Sequence, residues 1–157
     1  MATTSAVLVV GMDAASVAAA RIPRALARAG ATVSLLCASN AHARHTRHVA
    51  RVGVVAPDAP VSRWIEALFA LLDVAAPRAI LATDADALAW LVALTATPPA
   101  ALRPERAASL ADLLATSLGP LDRVAGRARV HAPAGATVHT HHVAALDGRV
   151  LACATAE

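Results

Sequence analysis

Short apolar runs punctuate this chain, and between them apolar and polar positions recur at helical spacing. The first run is Ala6-Val7-Leu8-Val9-Val10, stopped by Gly11. Thr32-Val33-Ser34-Leu35-Leu36-Cys37 is the second, and residues 52–55 and 79–83 make a third and a fourth. Unbroken apolar runs of this length read as strands buried on both faces, as in a parallel sheet. Between the first two lies an Ala-, Leu- and Arg-rich stretch that Ser16 can cap and Gly30 ends. Its spacing turns Ala18, Ile22, Ala25, Leu26 and Ala29 to the sheet and leaves Arg21, Arg24 and Arg28 wet. Pro23 predicts either a kink or a regular helix that starts only there.

The remaining pattern follows the same alternation. On a helix, residues 41–51 would put Arg44, His48 and Arg51 on one side, with Arg47 joining Arg51 at i+4. A helix beginning near Val61 carries the stripe Trp64, Leu68, Leu71, Leu72 and Ala75, and Pro77 enforces its end. After the fourth strand, residues 87–92 should be helical, and 95–101 should connect. Another helix spans residues 104–118, with Pro104 in its first turn and Ser109/Asp112 as an alternative capping pair. Gly119-Pro120 stops it. The chain then reads as loop to Gly135, followed by β-prone runs at 137–146 and 149–155 joined by Asp147-Gly148, a hairpin signal. The pattern predicts an α/β fold: a Rossmann-like three-layer domain with a parallel sheet over residues 1–119, and a loop and C-terminal β-hairpin over 120–157.

Composition narrows the classes of function. The chain has 157 residues, enough for one well-filled core. It is 57% hydrophobic, yet no apolar run approaches the roughly 20 residues of a membrane span. Two cysteines make no disulfide framework, and the N-terminus lacks the basic and apolar segments of a secretory signal, so a cytoplasmic protein is expected. All 14 cationic side chains are arginine, which removes lysine-based catalysis. With two Trp, one Phe and no Tyr there is no platform for stacking bases, and the arginines are spread along the chain. Neither a nucleic acid nor a membrane is an expected partner.

Ligands of open α/β sheets gather beyond the carboxyl ends of the strands. The first such turn, Gly11-Met12-Asp13-Ala14-Ala15-Ser16, lacks the later glycines of a dinucleotide fingerprint, and the second strand ends in Cys37 instead of an acid. A conventional NAD site is therefore disfavoured. After the second strand come Ser39, Asn40, Arg44 and Arg47, an edge suited to a small anionic ligand; a solvated basic face explains the same residues. After the fourth come Asp84 and Asp86, either acid–base groups or ordinary dipole-stabilising residues of a helix start. Asp13, Ser16, Ser39, Asn40, Arg44, Arg47, Asp84 and Asp86 are the candidate ligand-binding set, and no residue is assigned to catalysis. In the tail, a two-residue turn would set His142 across from Cys153 and send His139 and His141 to the other face, with His131 in the loop. A zinc site needs three or four convergent ligands, so none is expected.

The opening βαβ, the segment Arg44-His45-Thr46-Arg47-His48 and the strand end at residues 79–86, in this order, resemble the N-terminal, pre-ATP-grasp domain of ATP-grasp proteins. The resemblance covers residues 6–118, including the stretch Ala20-Arg21-Ile22-Pro23-Arg24-Ala25-Leu26. Large members of that family are ATP- and magnesium-dependent carboxylate–amine or carboxylate–thiol ligases. The segment Asp147-Gly148-Arg149-Val150-Leu151-Ala152 is similar to a strand pair of their catalytic module, but follows the first domain too soon. The resemblance implies a shortened, internally deleted or split relative that binds a ligand or acts as a scaffold without catalysing alone. ATP and magnesium would enter only through an ATP-grasp partner chain, and a homo-oligomer is a further expectation. Two other readings stand beside it: a small stand-alone enzyme using Asp84 and Asp86, and a His-rich metal-binding protein.

Overall fold

The computed structural model describes residues 5–100, 102–118, 140–146 and 149–156. Four strands, β1 (Ala6–Gly11), β2 (Thr32–Ala38), β3 (Arg51–Val55) and β4 (Ala79–Ala82), form one parallel sheet in the order β3-β2-β1-β4. The apolar runs of β1 and β2 become the centre of the sheet, where Leu8, Val9, Val10, Leu35 and Leu36 are fully buried. Helix α1 (Val17–Arg28) joins β1 to β2, and α2 (Val61–Ala75) joins β3 to β4. The first crossover moves one way along the sheet and the second moves back, so right-handed connections put α1 and α2 on opposite faces. This is the α/β, Rossmann-like three-layer arrangement that the pattern of runs predicts.

Helices α3 (Ala85–Ala96) and α4 (Pro104–Leu118) complete the packing. Trp64 of α2 meets Trp90 of α3 edge to face, with ring centroids 6.1 Å apart. Arg106 of α4 lies over the Phe69 ring and reaches Asp73 at 2.6 Å, tying α4 to α2. Along β4, the Ile80 N–H that faces away from β1 donates to Ser117 Oγ at 2.8 Å. A side chain of α4 thereby closes that edge of the sheet to another strand.

Several local expectations change. Helix α1 runs unbroken from Val17 through a buried Pro23, so the helix does not wait for the proline to begin. Ala29 is its exposed C-cap and does not pack on the sheet. Residues 41–51 are not a helix: only a 3-10 turn at His42–His45 forms, Thr46 is extended, and Arg51 already belongs to β3. Arg44, His48 and Arg51 therefore share no helix face. Thr95 and Ala96 belong to α3 and not to the connection. Ser109 caps nothing, because its hydroxyl donates to Glu105 O inside α4.

The tail strands β5 (Thr140–Leu146) and β6 (Arg149–Ala156) pair antiparallel. Leu146 opposes Arg149, as a two-residue connection requires, but the register shifts at Ala144/Ala145. That irregularity sets His142 opposite Ala154 and Val143 opposite Cys153, which corrects the expected His142–Cys153 pairing. His131, His139 and the Asp147-Gly148 turn lie outside the described residues.

Helix α2 ends on Ala76, held in the left-handed region at φ 40°, ψ 56°, with its N–H on Leu72 O. A Cβ is unfavourable in that conformation. Replacing Ala76→Gly is expected to stabilise the domain by about 0.5–1 kcal/mol, read as a higher denaturant midpoint at unchanged m. A lower midpoint would contradict the assignment of Ala76 as the left-handed cap.

Candidate functional site

Strand order makes a crevice between β1 and β4, because the chain leaves β1 toward β2 on one side and returns to β4 on the other. Gly11 ends β1 at this point. A Cβ on Gly11 would stand 2.7 Å from Thr83 Oγ1, so only glycine fits without displacing Thr83. Thr83 follows β4; its N–H donates to Val10 O at 2.9 Å, and its hydroxyl lies 3.2 Å from both Val10 O and Asp84 Oδ2.

Asp84 is the centre of the arrangement. Its Oδ1 accepts the Ala87 N–H at 2.8 Å and caps α3. Its Oδ2 accepts the Met12 N–H at 2.9 Å and the Asp13 N–H at 3.2 Å, across the crevice in the β1–α1 turn. One carboxylate thus satisfies backbone donors of two elements more than 70 residues apart in sequence. In nucleotide-binding proteins of this architecture, amides of that turn face phosphate. Here an internal anion holds them.

The other candidates divide by task. Asp13 Oδ1 takes the Ala15 N–H at 2.9 Å and shapes the turn, while Ser16 Oγ takes the Ala19 N–H at 3.1 Å and caps α1. Asp86 is exposed in the first turn of α3 and shares none of the partners of Asp84. The pair is therefore not arranged to pass a proton between its members.

Beyond β2 the 3-10 turn leans on the first turn: the His42 N–H points to Ala14 O at 3.4 Å. Arg44 donates through Nη1 to Ser39 O, and its Nε lies 3.2 Å from His45 Nε2. Ser39 N–H donates to Val55 O at 2.7 Å, so the backbone here closes the end of the sheet. The Arg44 charge bears on Cys37, whose thiol burial pushes up and Arg44 pulls down; burial is the larger influence. Asn40 and Arg47 are exposed, and Arg47 has no side-chain hydrogen bond or ion pair among the described residues.

Ser39, Asn40 and Arg44 thus stand beside one another at the carboxyl end of β2. Asp13, Ser16 and Asp84 are engaged at the neighbouring turn, and Asp86 stands apart. Sequence reasoning missed Gly11 and Thr83, whose roles appear only once β4 lies beside β1. Among the described residues no three His, Cys, Asp or Glu side chains converge on a common point, and no helix is long and apolar enough to cross a membrane. An open cavity of about 650 Å³ lies away from this crevice, between α2 and the start of α4, bordered by Phe69, Asp73, Leu102 and Arg103. No family model, no curated protein and no solved structure matches the chain.

Proposed function

We propose that this protein is a non-catalytic ligand-binding or scaffolding module, a shortened or split relative of the ATP-grasp ligases. The observation that carries the non-catalytic part is the Asp84 carboxylate seated on the Met12 and Asp13 amides. A phosphate brought to that turn would meet a fixed negative charge and find the Met12 and Asp13 amides already engaged, and like charges at hydrogen-bond range repel strongly. Phosphoryl transfer needs the opposite, namely fixed cations and a metal around the phosphates. The relation to ATP-grasp proteins rests on the order of the opening βαβ, the Arg/His segment and the acidic strand end, and on the Rossmann-like sheet. ATP and magnesium belong to this reading only through a separate chain that supplies the nucleotide clamp.

The ligand in this reading is a small carboxylate or phosphate compound held at the end of β2. Arg44 keeps Nη1 on Ser39 O and Nε at His45 Nε2 and has Nη2 to offer; Arg47, three residues on, adds a second charge. Two measurements test the proposal separately. Titration with inorganic phosphate or acetate is expected to move the amide resonances of Ser39, Asn40, Arg44 and Arg47 first; changes confined to other elements would reject the ligand position. Calorimetry with magnesium–ATP, beside a phosphate-release assay over carboxylic acids and amines, is expected to show neither micromolar binding nor turnover. Micromolar binding coupled to acid-dependent turnover would overturn the non-catalytic reading and restore the enzyme.

A further inference from the structure

Residues 14–57 carry six arginines and three histidines but no acidic residue. Spread along the sequence, most of that charge is gathered by the fold. The step from β2 to β3 runs the same way along the sheet as the step from β1 to β2. A right-handed crossover therefore sets residues 42–50 on the face that α1 covers. The 3-10 turn lies against α1, and its His42 N–H points to Ala14 O at 3.4 Å. Two arginine-bearing segments thus lie side by side. On α1, Arg21, Arg24 and Arg28 fall within about 60° of one another around the helix axis, and all three are exposed. Arg44 and Arg47 are exposed on the crossover. Arg51 is the exception: it alternates with Gly53, whose Cβ position faces Leu71 of α2, and so turns to the other side.

The acids lie elsewhere. Glu66 and Asp73 belong to α2, Glu105 and Asp112 belong to α4, and Arg106 ties α4 to α2 on the opposite face. Among the described residues, Arg21, Arg24 and Arg28 make no side-chain hydrogen bond or ion pair. Residues 119–157 bring four arginines and three acids, so their charge cannot cancel that of the face. Five cations without a counter-charge set up a field that draws a polyanion.

We propose that this face binds the phosphate backbone of duplex nucleic acid, without reading its sequence. Arginine holds phosphate through paired hydrogen bonds. Three arginines along about 10 Å of one helix suit a regular line of phosphates. What the face lacks disfavours the other polyanions. The only aromatic residues of the chain, Trp64, Phe69 and Trp90, belong to α2 and α3. A single strand needs aromatic side chains on which to stack its bases. A bilayer needs interfacial anchors, and a protein partner needs the aromatic residues that dominate interface cores. Val52 and Val54 do point to this side by alternation and are 39% and 47% exposed, but they are too short to anchor in a bilayer. A duplex needs only its phosphates met. This inference stands apart from the ATP-grasp relation and shares only Arg44 and Arg47 with the small-anion position.

Fluorescence anisotropy of the full chain with a labelled duplex at about 50 mM salt is expected to give micromolar binding, alike for two unrelated sequences. The logarithm of the association constant should fall against that of salt with a slope of about −3 to −4, the mark of three to five phosphate contacts. Arg21→Gln combined with Arg28→Gln is expected to weaken binding at least about tenfold and to make the slope shallower by about 2. Circular dichroism should not change, because glutamine forms helices about as readily as arginine. Arg63→Gln combined with Arg103→Gln removes the same charge from α2 and the approach to α4, and is expected to shift the dissociation constant less than about twofold. A single strand of equal length, polyglutamate and phosphatidylserine vesicles should each bind more weakly than the duplex. Absence of duplex binding at this salt would overturn the proposal, as would equal losses from the two variant pairs or a strong preference between the two sequences. Tighter binding of the single strand, polyglutamate or vesicles would overturn it too, and would give the face to that partner instead.

Discussion

Replacing Asp84→Ala is expected to destabilise the domain by about 2–3 kcal/mol, well beyond an ordinary surface substitution. Two losses combine. Removing the cap of α3 strips the Ala87 N–H of its acceptor, worth about 1 kcal/mol. Removing Oδ2 also leaves the half-buried Met12 N–H without its partner at 2.9 Å, a further cost of about 1–2 kcal/mol. The Asp13 N–H is exposed and water replaces its bond, so it adds little. Asp84→Asn separates the two tasks. An amide keeps one oxygen for Ala87 but turns an NH₂ toward the Met12 N–H, so this variant should retain the cap and still lose the crevice bond. Its cost should fall between the parent and Asp84→Ala.

The same variant connects stability to function. With the carboxylate gone, the Met12 and Asp13 amides regain the donor character that suits an anion at a helix start. Phosphate is expected to raise the melting temperature of Asp84→Ala by more than it raises that of the parent, since only the variant gains a second position for the anion. Equal phosphate effects on both proteins would contradict the view that Asp84 occupies this anion position.

Elements whose identity is set by local pattern were legible in the chain. Strands β1 and β2 announce themselves because both faces are covered, so every position can be apolar. Helix α4 begins at Pro104 as read, because its start is local: a first-turn proline. Residues 41–51 depart from their helical spacing for a physical reason. Ala41 and Ala43 are buried against neighbouring elements, and the backbone is claimed by non-local bonds, His42 N–H to Ala14 O and Ala50 N–H to Val33 O. Those contacts and the short path to β3 outweigh the helical spacing of the Arg and His residues.

The candidate site shows the same division. That Asp84 caps a helix is a local fact and could be read from Thr83-Asp84-Ala85-Asp86. That its second oxygen crosses to Met12 depends on β4 lying beside β1, and strand order is not encoded in the spacing of apolar residues. Grouping Asp84 with Asp86 as a pair followed from sequence proximity, but one is drawn into the crevice and the other remains exposed. The tail gives a parallel lesson: a single register irregularity between Ala144 and Ala145 moves every later pairing by one residue.

Gly11→Ala is expected to cost about 1–3 kcal/mol, and the loss should depend on Thr83. The new methyl would stand 2.7 Å from Thr83 Oγ1, inside van der Waals contact. Thr83 cannot easily turn aside. It is 2% exposed, β-branched, and held near Val10 O and Asp84 Oδ2, so another rotamer would break those contacts or bring its own methyl forward. Thr83→Ala alone should cost about 1 kcal/mol through the lost hydrogen bonds. In the double variant the clashing oxygen is absent, so the combined cost should fall at least about 1 kcal/mol below the sum of the singles, a coupling expected only between residues in contact. Gly53 supplies the comparison: its added Cβ would meet Leu71 Cδ1 at 2.8 Å, the end of a longer side chain that can rotate. Gly53→Ala should therefore cost less than Gly11→Ala. Denaturant titration of the four crevice proteins and Gly53→Ala measures every quantity. Strict additivity between Gly11→Ala and Thr83→Ala would mean that β1 and β4 do not approach closely at the mouth of this crevice.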